Sequence, residues 1–266
     1  MNSPRYTHGH AESVLRSHRW RTAQNSCGYL LPYLREGMTV LDIGAGPGTI
    51  TADLAHLVAP GRVTALEISE GALDLSRAEL AGRGIDADYL VGDVHHLDLA
   101  DDSFDIVHAH QVLQHVVDPV QALREIRRIC RPDGLVAIRE SDYHGFVWYP
   151  ESALLDRWMD LYQTVARGNG GEPDAGRRLL AWAHQAGFSH VTASTSTWCH
   201  AGSADREHWG GMWADRILSS DLARQSVDDG HATRGDLEQI AEAWQTWAAN
   251  TDGWISILHG EILARP

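Results

Sequence analysis

Short apolar runs alternate with stretches of helical periodicity through the first half of the chain. Runs this short, bounded by Gly, Pro or Asp, are typical of buried strands. The predicted strands cover 38–43, 62–68, 87–91, 104–109 and 134–139, and helices are predicted at 49–58, at about 70–81, and after Asp118, which caps a helix that begins at Pro119. Because strands and helices alternate, we expect an α/β fold with a doubly wound parallel sheet.

Apolar residues also recur at helical spacing between residues 11 and 34, before the first predicted strand. The residues that share one face are Trp20, Ala23, Cys27, Leu30 and Leu34. This pattern predicts a helix that ends near Pro32 and Gly37.

The second half of the chain has a different pattern. Helices are predicted at about 151–167 and 175–186, strands at about 190–198 and 254–263, and a polar segment that contains several Trp residues at 201–252. We expect one domain over 1–266, divided into an N-terminal helical lid (1–37), a core (38–140) and a C-terminal part (141–266) in which 201–252 forms a helical cap.

Composition and charge exclude several classes of protein. The chain has 266 residues and a formal charge of -14, so we expect no nucleic acid partner and no docking on an anionic membrane. All 22 basic residues are Arg, which excludes the chemistry of a lysine Schiff base or a P-loop lysine. The three Cys are far apart and no apolar stretch is long enough to span a membrane, so a cytoplasmic protein is expected. The sequence does not exclude a homo-oligomer.

The strongest local motif is the D-x-G-x-G-x-G run that begins at Asp42. It follows a predicted strand and precedes a helix, so main-chain N–H groups of the turn can approach a ligand closely. A dinucleotide-binding turn would need Gly where Thr49 stands, and a P-loop would need Lys. This motif alone does not exclude other nucleotide-like ligands.

Two acids follow the next two predicted strands. Glu67 ends the second strand, where a carboxylate can accept hydrogen bonds from ribose hydroxyls. Asp93 ends the third, where a carboxylate could accept from the exocyclic amine of adenine. These acids suit an adenosyl sulfonium ligand better than a pyrophosphate. One would bind the ribose, one would bind the adenine, and Asp42 would lie near the cationic amino-acid group.

Five motifs in order along the chain resemble those of the class I S-adenosylmethionine-dependent methyltransferases: LDIGAGPG, ALEIS, VGDVHHL, FDIVHAHQVLQHVVDP and RRICRPDGLVAI. Within that superfamily, the chain is most similar to the branch of ubiquinone/menaquinone biosynthesis. The resemblance covers about 38–140 and implies a Rossmann-like seven-stranded sheet in the order 3-2-1-4-5-7-6, with strand 7 antiparallel. The strands at 190–198 and 254–263 would be strands 6 and 7, with the cap between them.

This resemblance also implies which residues bind S-adenosylmethionine as the cofactor. Asp42 and the turn residues Gly44, Ala45 and Gly46 would line its methionine moiety, and Glu67 its ribose. Ile68 would pack on the adenine, while Asp93 and Val94 would contact the adenine edge. The residues that would pass close to the sulfonium are His110 and Gln111.

A small organic acceptor, phenol-, quinone- or amine-like, is expected. His115 is the candidate general base, because histidine suits proton transfer near neutral pH, although it could also only pack beside the cofactor. The aromatic and His residues that could line an acceptor pocket are Tyr143, His144, Trp148, Trp198, Trp209 and Trp213, of which some Trp residues could instead form a core.

The residues also allow three other interpretations. His108 and His110 lie on one face of a strand and could bind a metal with His8 and His10, but no motif of metal ligands supports this, and no metal is expected. A sensor or regulatory subunit that binds the cofactor without turnover would carry the same motifs. A nicotinamide-dependent oxidoreductase is disfavoured by Thr49.

Overall fold

The apolar runs of the first half form the parallel part of a sheet in the computed structural model, which describes residues 18–266. The strands are β1 (Thr39–Ile43), β2 (Arg62–Glu67), β3 (Asp88–Val91), β4 (Phe104–His110) and β5 (Cys130–Ser141). Val40 of β1 lies opposite Val63 of β2 and Ile106 of β4, both in parallel register. The predicted strands are therefore confirmed.

A one-turn helix, α1 (Ala23–Ser26), precedes β1. The helices that connect the strands, as predicted, are α2 (Thr49–Val58), α3 (Glu70–Gly82) and α4 (Pro119–Ile129). The Asp118 side chain accepts a hydrogen bond from the main-chain N–H of Gln121, which satisfies one of the N–H groups that a helix start leaves unpaired.

The remaining elements include a second group of helices. In chain order they are β6 (Val147–Tyr149), α5 (Ala153–Gly168), α6 (Leu179–Gln185), β7 (His190–His200), α7 (Ser203–Ser219), α8 (Asp221–Asp228), α9 (Arg234–Ala249) and β8 (Trp254–Arg265). The predicted cap segment thus forms three helices between β7 and β8, within the part of the chain that the structure describes.

The described chain divides into two compact units. The sheet unit comprises His18–Ser141, Ala175–Ser196 and His259–Pro266, and the helical unit comprises Asp142–Asp174 and Thr197–Leu258. The division falls within β7 and β8.

Strand order in the sheet unit is β3-β2-β1-β4-β5-β8, with β7 pairing β8. β8 runs antiparallel to β5, with Val136 opposite Ala264 and Ser141 opposite His259. Because β7 and β8 are the predicted strands 6 and 7, the expected order 3-2-1-4-5-7-6 with an antiparallel strand 7 is confirmed.

Alternating residues of the central strands enter two apolar cores. Leu41 and Val107 pack with Leu123 of α4 on one face of the sheet. Val40 and Ile106 pack on the other face, in a core that includes residues of α1 and α2. A strand that is buried on both faces reads as a continuous apolar run, which explains why these strands were visible in the sequence.

The predicted helix over 11–34 is wrong in its described part, and 11–17 lie outside the described residues. Residues 23–26 form the one-turn helix α1, capped by Thr22, and Leu31–Tyr33 form a separate 3₁₀ turn. Pro32 lacks the N–H that would continue a helix, and Gly28 has low helix propensity, so the periodic apolar face is divided between two short turns.

Candidate functional site

The turn between β1 and α2 depends on glycine. Gly44 and Gly46 have φ angles of 68° and 56°, in the left-handed region that glycine adopts without strain. A Cβ atom on Gly44 would lie 2.4 Å from Cγ2 of Val112, so no side chain fits there. At Gly46 the nearest atom among residues 18–266 would be Nδ1 of His18, at 3.9 Å. Within that part of the chain, the turn is therefore tightly packed at Gly44 and less closely packed at Gly46.

The carboxylate of Glu67 lies beside this turn. Its Oε1 accepts a hydrogen bond from the N–H of Gly46 at 2.7 Å, and its Oε2 a longer one from Ile68 N–H at 3.3 Å. A carboxylate at this position, beside the turn and at the end of β2, suits the hydroxyl groups of a ribose. The apolar side chain of Ile68 is 66% exposed, as a platform for a flat ring would be. The turn, the carboxylate and the platform fit the predicted adenosyl ligand.

Asp93 follows β3 and is held by the next residues. Its Oδ1 accepts from the main-chain N–H of His95 at 2.9 Å and lies 2.6 Å from the ring Nδ1 of His95. Burial would raise the pKa of Asp93, but these hydrogen bonds outweigh it and lower that pKa. Val94 is buried beside it. Asp93 therefore presents an ionised, half-exposed carboxylate.

Asp42 uses both carboxylate oxygens inside the sheet unit. Oδ1 lies 2.7 Å from Nδ1 of His108 on β4, and Oδ2 accepts from the hydroxyl of Thr51 on α2 at 2.6 Å. Burial lowers the pKa of His108, yet the Asp42 carboxylate outweighs it and raises that pKa to about 10. Asp42 thus ties β1 to β4 and to α2, and its predicted contact with a methionine moiety stays a prediction.

The side-chain amide of Gln111, directly after β4, contacts three other side chains. Arg21 donates to Oε1 at 2.6 Å, and Nε2 donates to the Ser141 hydroxyl at 2.6 Å and lies 2.9 Å from Nε2 of His259. The φ of Gln111 is 57°, which is unusual for a residue other than glycine and is often found at functional sites. The side chain of Gln111 therefore fixes a strained main chain at the end of β4.

Glu140 was missed by the sequence analysis. Its Oε1 accepts hydrogen bonds from the main-chain N–H groups of Val112 and Leu113, at 2.9 and 2.7 Å. Complete burial raises the pKa of Glu140 to about 8, although these bonds and Arg21 act to lower it. The sequence signal that could have indicated Glu140 is its position as an acid directly after the predicted apolar strand at 134–139. Glu140 supports the loop that carries His115.

Two predicted histidines of the sheet unit are neutral at physiological pH. Burial, and then the charge of Arg21, lower the pKa of His110 well below its ordinary value and that of His115 to about 4. The His110 ring stacks on His259, with centroids 6.2 Å apart. Nε2 of His115 lies 3.0 Å from the side-chain nitrogen of Gln114. A histidine with so low a pKa is a weak base, and the catalytic role of His115 stays a prediction.

Most predicted acceptor-side Trp residues are buried in the helical unit. Trp213 packs edge-on against Trp158 with ring centroids 4.5 Å apart, and Trp209 stacks on His200 at 4.8 Å. Trp198 is buried as well. These contacts are typical of a hydrophobic core. The expected contact of these Trp rings with an acceptor stays a prediction.

The 3₁₀ turn after β5 (Tyr143–Gly145) and the strand β6 carry the remaining predicted residues. Tyr143 is buried and stacks on Tyr162, with centroids 3.9 Å apart. His144 is half exposed, and its Nδ1 lies 2.6 Å from Oδ2 of Asp174. Trp148, on β6, is partly buried and approaches Trp158 edge-on. Of the predicted acceptor residues, His144 is the most accessible.

Residues 18–266 contain no candidate metal site and no helix suited to span a membrane. No group of three or more His, Cys, Asp or Glu residues there is arranged to hold a metal ion. His108 instead pairs with Asp42, and His8 and His10 lie outside the described residues. The same residues include no helix with the length and apolar character needed to cross a membrane.

Comparison with known proteins identifies the family. A family model described as "Methyltransferase domain" matches residues 41–138. An uncharacterised methyltransferase of Schizosaccharomyces pombe is 33% identical over 97% of this chain and 95% of its own length. A ubiquinone/menaquinone biosynthesis C-methyltransferase of Shewanella frigidimarina is 30% identical over 61% of this chain and 71% of its own.

The fold has solved counterparts. The YcgJ protein of Bacillus subtilis superposes with a TM-score of 0.60 at 18% identity, over 90% of this chain and 96% of that one. The sheet order, the glycine turn and the relative that matches nearly the whole chain agree with one another. The chain therefore belongs to the class I S-adenosylmethionine-dependent methyltransferases.

Proposed function

We propose that this methyltransferase acts on a small organic acceptor that is phenol-, quinone- or amine-like. The observation that carries the proposal is the aromatic character of the helical unit after β5, where Tyr143, His144 and Trp148 lie on the turn and short strand that follow it. Aromatic faces suit flat rings and cationic amines. The Shewanella relative, whose name places it in the biosynthesis of ubiquinone and menaquinone, supports a ring of that type.

In the sheet unit, we assign the cofactor-binding roles to the turn and the strand ends. Glu67 would accept from the ribose hydroxyls, Ile68 would pack against the adenine ring, and Asp93 would accept from its amine. The main chain of Gly44–Gly46 would contact the methionine moiety. His110 and Gln111 would lie beside the sulfonium, and the buried neutral ring of His110 would not repel its charge.

When bound, S-adenosylmethionine supplies a methyl group on a positively charged sulfur. The protein's own residues then have to orient the acceptor, exclude water and, where the acceptor carries a proton, remove it. The strained Gln111 is suited to orientation, since its amide is already held by three side chains. His115 is kept as one candidate for the proton transfer.

The test uses S-adenosylmethionine with a labelled methyl group. The protein is incubated with it and with an extract of the cells that produce this chain, and the products are separated by size and by solubility in organic solvent. We expect label in small, organic-soluble molecules. Label in macromolecules alone would contradict the proposal, and so would absence of transfer while S-adenosylhomocysteine still binds.

A further inference from the structure

The side-chain amide of Gln111 has a single orientation in the sheet unit. The guanidinium of Arg21 donates to it at 2.6 Å. Because arginine has donor groups only, the atom that faces Arg21 has to be the amide oxygen. The amide nitrogen, which can only donate, therefore faces the Ser141 hydroxyl at 2.6 Å and the ring Nε2 of His259 at 2.9 Å.

This orientation decides where His259 carries its proton. Since the amide nitrogen of Gln111 donates, Nε2 of His259 has to accept. The ring is then neutral and has its proton on Nδ1. A proton on Nε2 would place two donors 2.9 Å apart inside the protein, where a mismatched polar pair is costly. The hydrogen bonds of the sheet unit thus specify one tautomer of a histidine that the sequence analysis did not single out.

Strand pairing fixes both acceptors of this amide. Ser141 on β5 lies directly opposite His259 on β8 in the antiparallel register. The side chain of His259 is completely buried, and its ring stacks on that of His110 with an angle of 24° between the planes. Both acceptors are therefore mounted on strands of the sheet, which hold side chains more precisely than loops do.

Gln111 is the residue at which the chain leaves the sheet. Its N–H still donates to the carbonyl of Arg139 on β5 at 2.8 Å, whereas the next N–H, that of Val112, donates to the carboxylate of Glu140. The φ of 57° at this point costs free energy and persists only where the surroundings enforce it. The hydrogen bonds of the Gln111 amide supply that constraint.

We propose that His259, neutral and protonated on Nδ1, is a positioning residue for the methyl transfer and acts through Gln111. This inference rests on the proposed placement of Gln111 beside the sulfonium. By accepting from the amide, His259 keeps the end of β4 in one conformation while the acceptor and the methyl group are aligned. A displacement of about 1 Å at such a point can lower a rate by about 100-fold.

A matched pair of variants separates this role from packing alone. His259→Phe keeps a flat ring that can stack on His110 but has no acceptor. His259→Gln has no ring, but it offers an amide oxygen about as far along the side chain as Nε2. A role in packing favours the Phe variant, whereas a role in positioning favours the Gln variant.

The kinetic test uses S-adenosylmethionine with a labelled methyl group and the cell extract, with label in small molecules and in macromolecules counted separately. We expect His259→Phe to lower the rate about 10-fold or more, because a buried donor loses its acceptor, and His259→Gln to stay within about threefold of wild type. Affinity for S-adenosylhomocysteine, measured by calorimetric titration, should change less than about threefold in both, because the contribution is to the transition state. His190→Phe, at an exposed histidine of the sheet unit, is the control and should leave the rate unchanged.

A second readout needs no acceptor and no variant that has to be active. Nitrogen-15 NMR of the histidine-labelled wild-type protein, with His259 assigned by its absence in His259→Gln, should show Nδ1 protonated and Nε2 unprotonated. A proton on Nε2 would overturn the inference, as would a His259→Phe rate within about twofold of wild type or a folded His259→Gln as slow as His259→Phe. Label in macromolecules alone would contradict the proposed function, while the variant rates would still decide the role of His259. A wild-type protein that transfers no label would overturn both.

Discussion

At the scale of single residues, side chains near the strand ends differ in the groups that hold them in place. The amide of Gln111 is occupied by Arg21, Ser141 and His259. The carboxylate of Glu67 accepts hydrogen bonds from the main-chain N–H groups of Gly46 and Ile68. Gln111 is thus held by side chains at a strained main chain, whereas Glu67 is held by main-chain groups beside the glycine turn, where the ribose is predicted to bind.

Glu67→Gln tests this distinction. We expect the affinity for S-adenosylhomocysteine, measured by calorimetric titration, to fall by about 1–3 kcal/mol, because hydrogen bonds to a charged acceptor are lost. Glu70→Gln is the matched control, since Glu70 is an exposed acid three residues away that pairs with Arg77. Unchanged affinity in Glu67→Gln, with folding intact, would show that the ribose acid is misassigned.

Glu140 gives a prediction on pH dependence. Its pKa is raised from an ordinary 4.5 to about 8, so between these values the folded chain keeps a proton that the unfolded chain releases. The free energy of unfolding therefore falls as pH rises through this window, by about 1.4 kcal/mol for each unit of pKa difference when complete. Glu140→Gln retains the shape and an acceptor oxygen but cannot titrate. Urea unfolding at pH 5 and pH 8 should show a smaller loss in Glu140→Gln, and an equal loss would contradict this account.

At the scale of elements, α7 and α9 pack closely because α7 lacks a side chain at one position. A Cβ atom on Gly210 would lie 2.8 Å from Cβ of Ala248 and from the carbonyl oxygen of Trp244. At the next residue, Gly211, the described part of the chain places nothing within 4 Å of such an atom. Two neighbouring glycines of one helix thus have opposite structural roles.

Substitution by Ala at each position makes a matched pair. Gly210→Ala should destabilise the protein by about 1–3 kcal/mol through overpacking. Gly211→Ala should stabilise it by about 0.5–1 kcal/mol, because Ala has the higher helix propensity and a smaller loss of entropy on folding. Thermal unfolding measures both, and shifts of the same sign would refute the predicted close contact.

At the scale of the whole molecule, buried histidines set the pH range of stability. His115 and His200 have pKa values lowered from 6.5 to about 4 by burial, so the unfolded chain binds more protons between these values. Stability should fall as pH drops through 6.5 to 4, which Glu140 offsets only in part. His108 has its pKa raised to about 10, so stability should also fall as pH rises from 6.5.

We therefore expect the free energy of unfolding to be larger at pH 6.5 than at pH 4.5 or pH 9. Urea titrations at the three values, at constant ionic strength, measure this. The ionic strength is fixed because a formal charge of -14 makes self-repulsion depend on salt. A stability that rises steadily from pH 4.5 to pH 9 would contradict the predicted ionisation states.

Local chemistry made much of the fold predictable. The helix at 49–58 was predicted with its observed bounds, because the glycine turn and Pro60 mark its ends. Asp118 and Pro119 marked the start of α4 in the same way. Near Pro32, by contrast, apolar periodicity continued across residues that cannot form one helix, and the prediction was wrong.

The sequence by itself determined the family, the strand order that the family implies and the cofactor, because the motifs at Asp42–Gly48, Glu67 and Asp93 lie at strand ends whose positions local patterns reveal. Only the tertiary structure decided which side chains meet. Gln111 and His259 are 148 positions apart in sequence, and His144 and Asp174 are 30 apart. Contacts over such separations follow from strand pairing and helix packing, which depend on the whole core and leave no periodic trace in the chain.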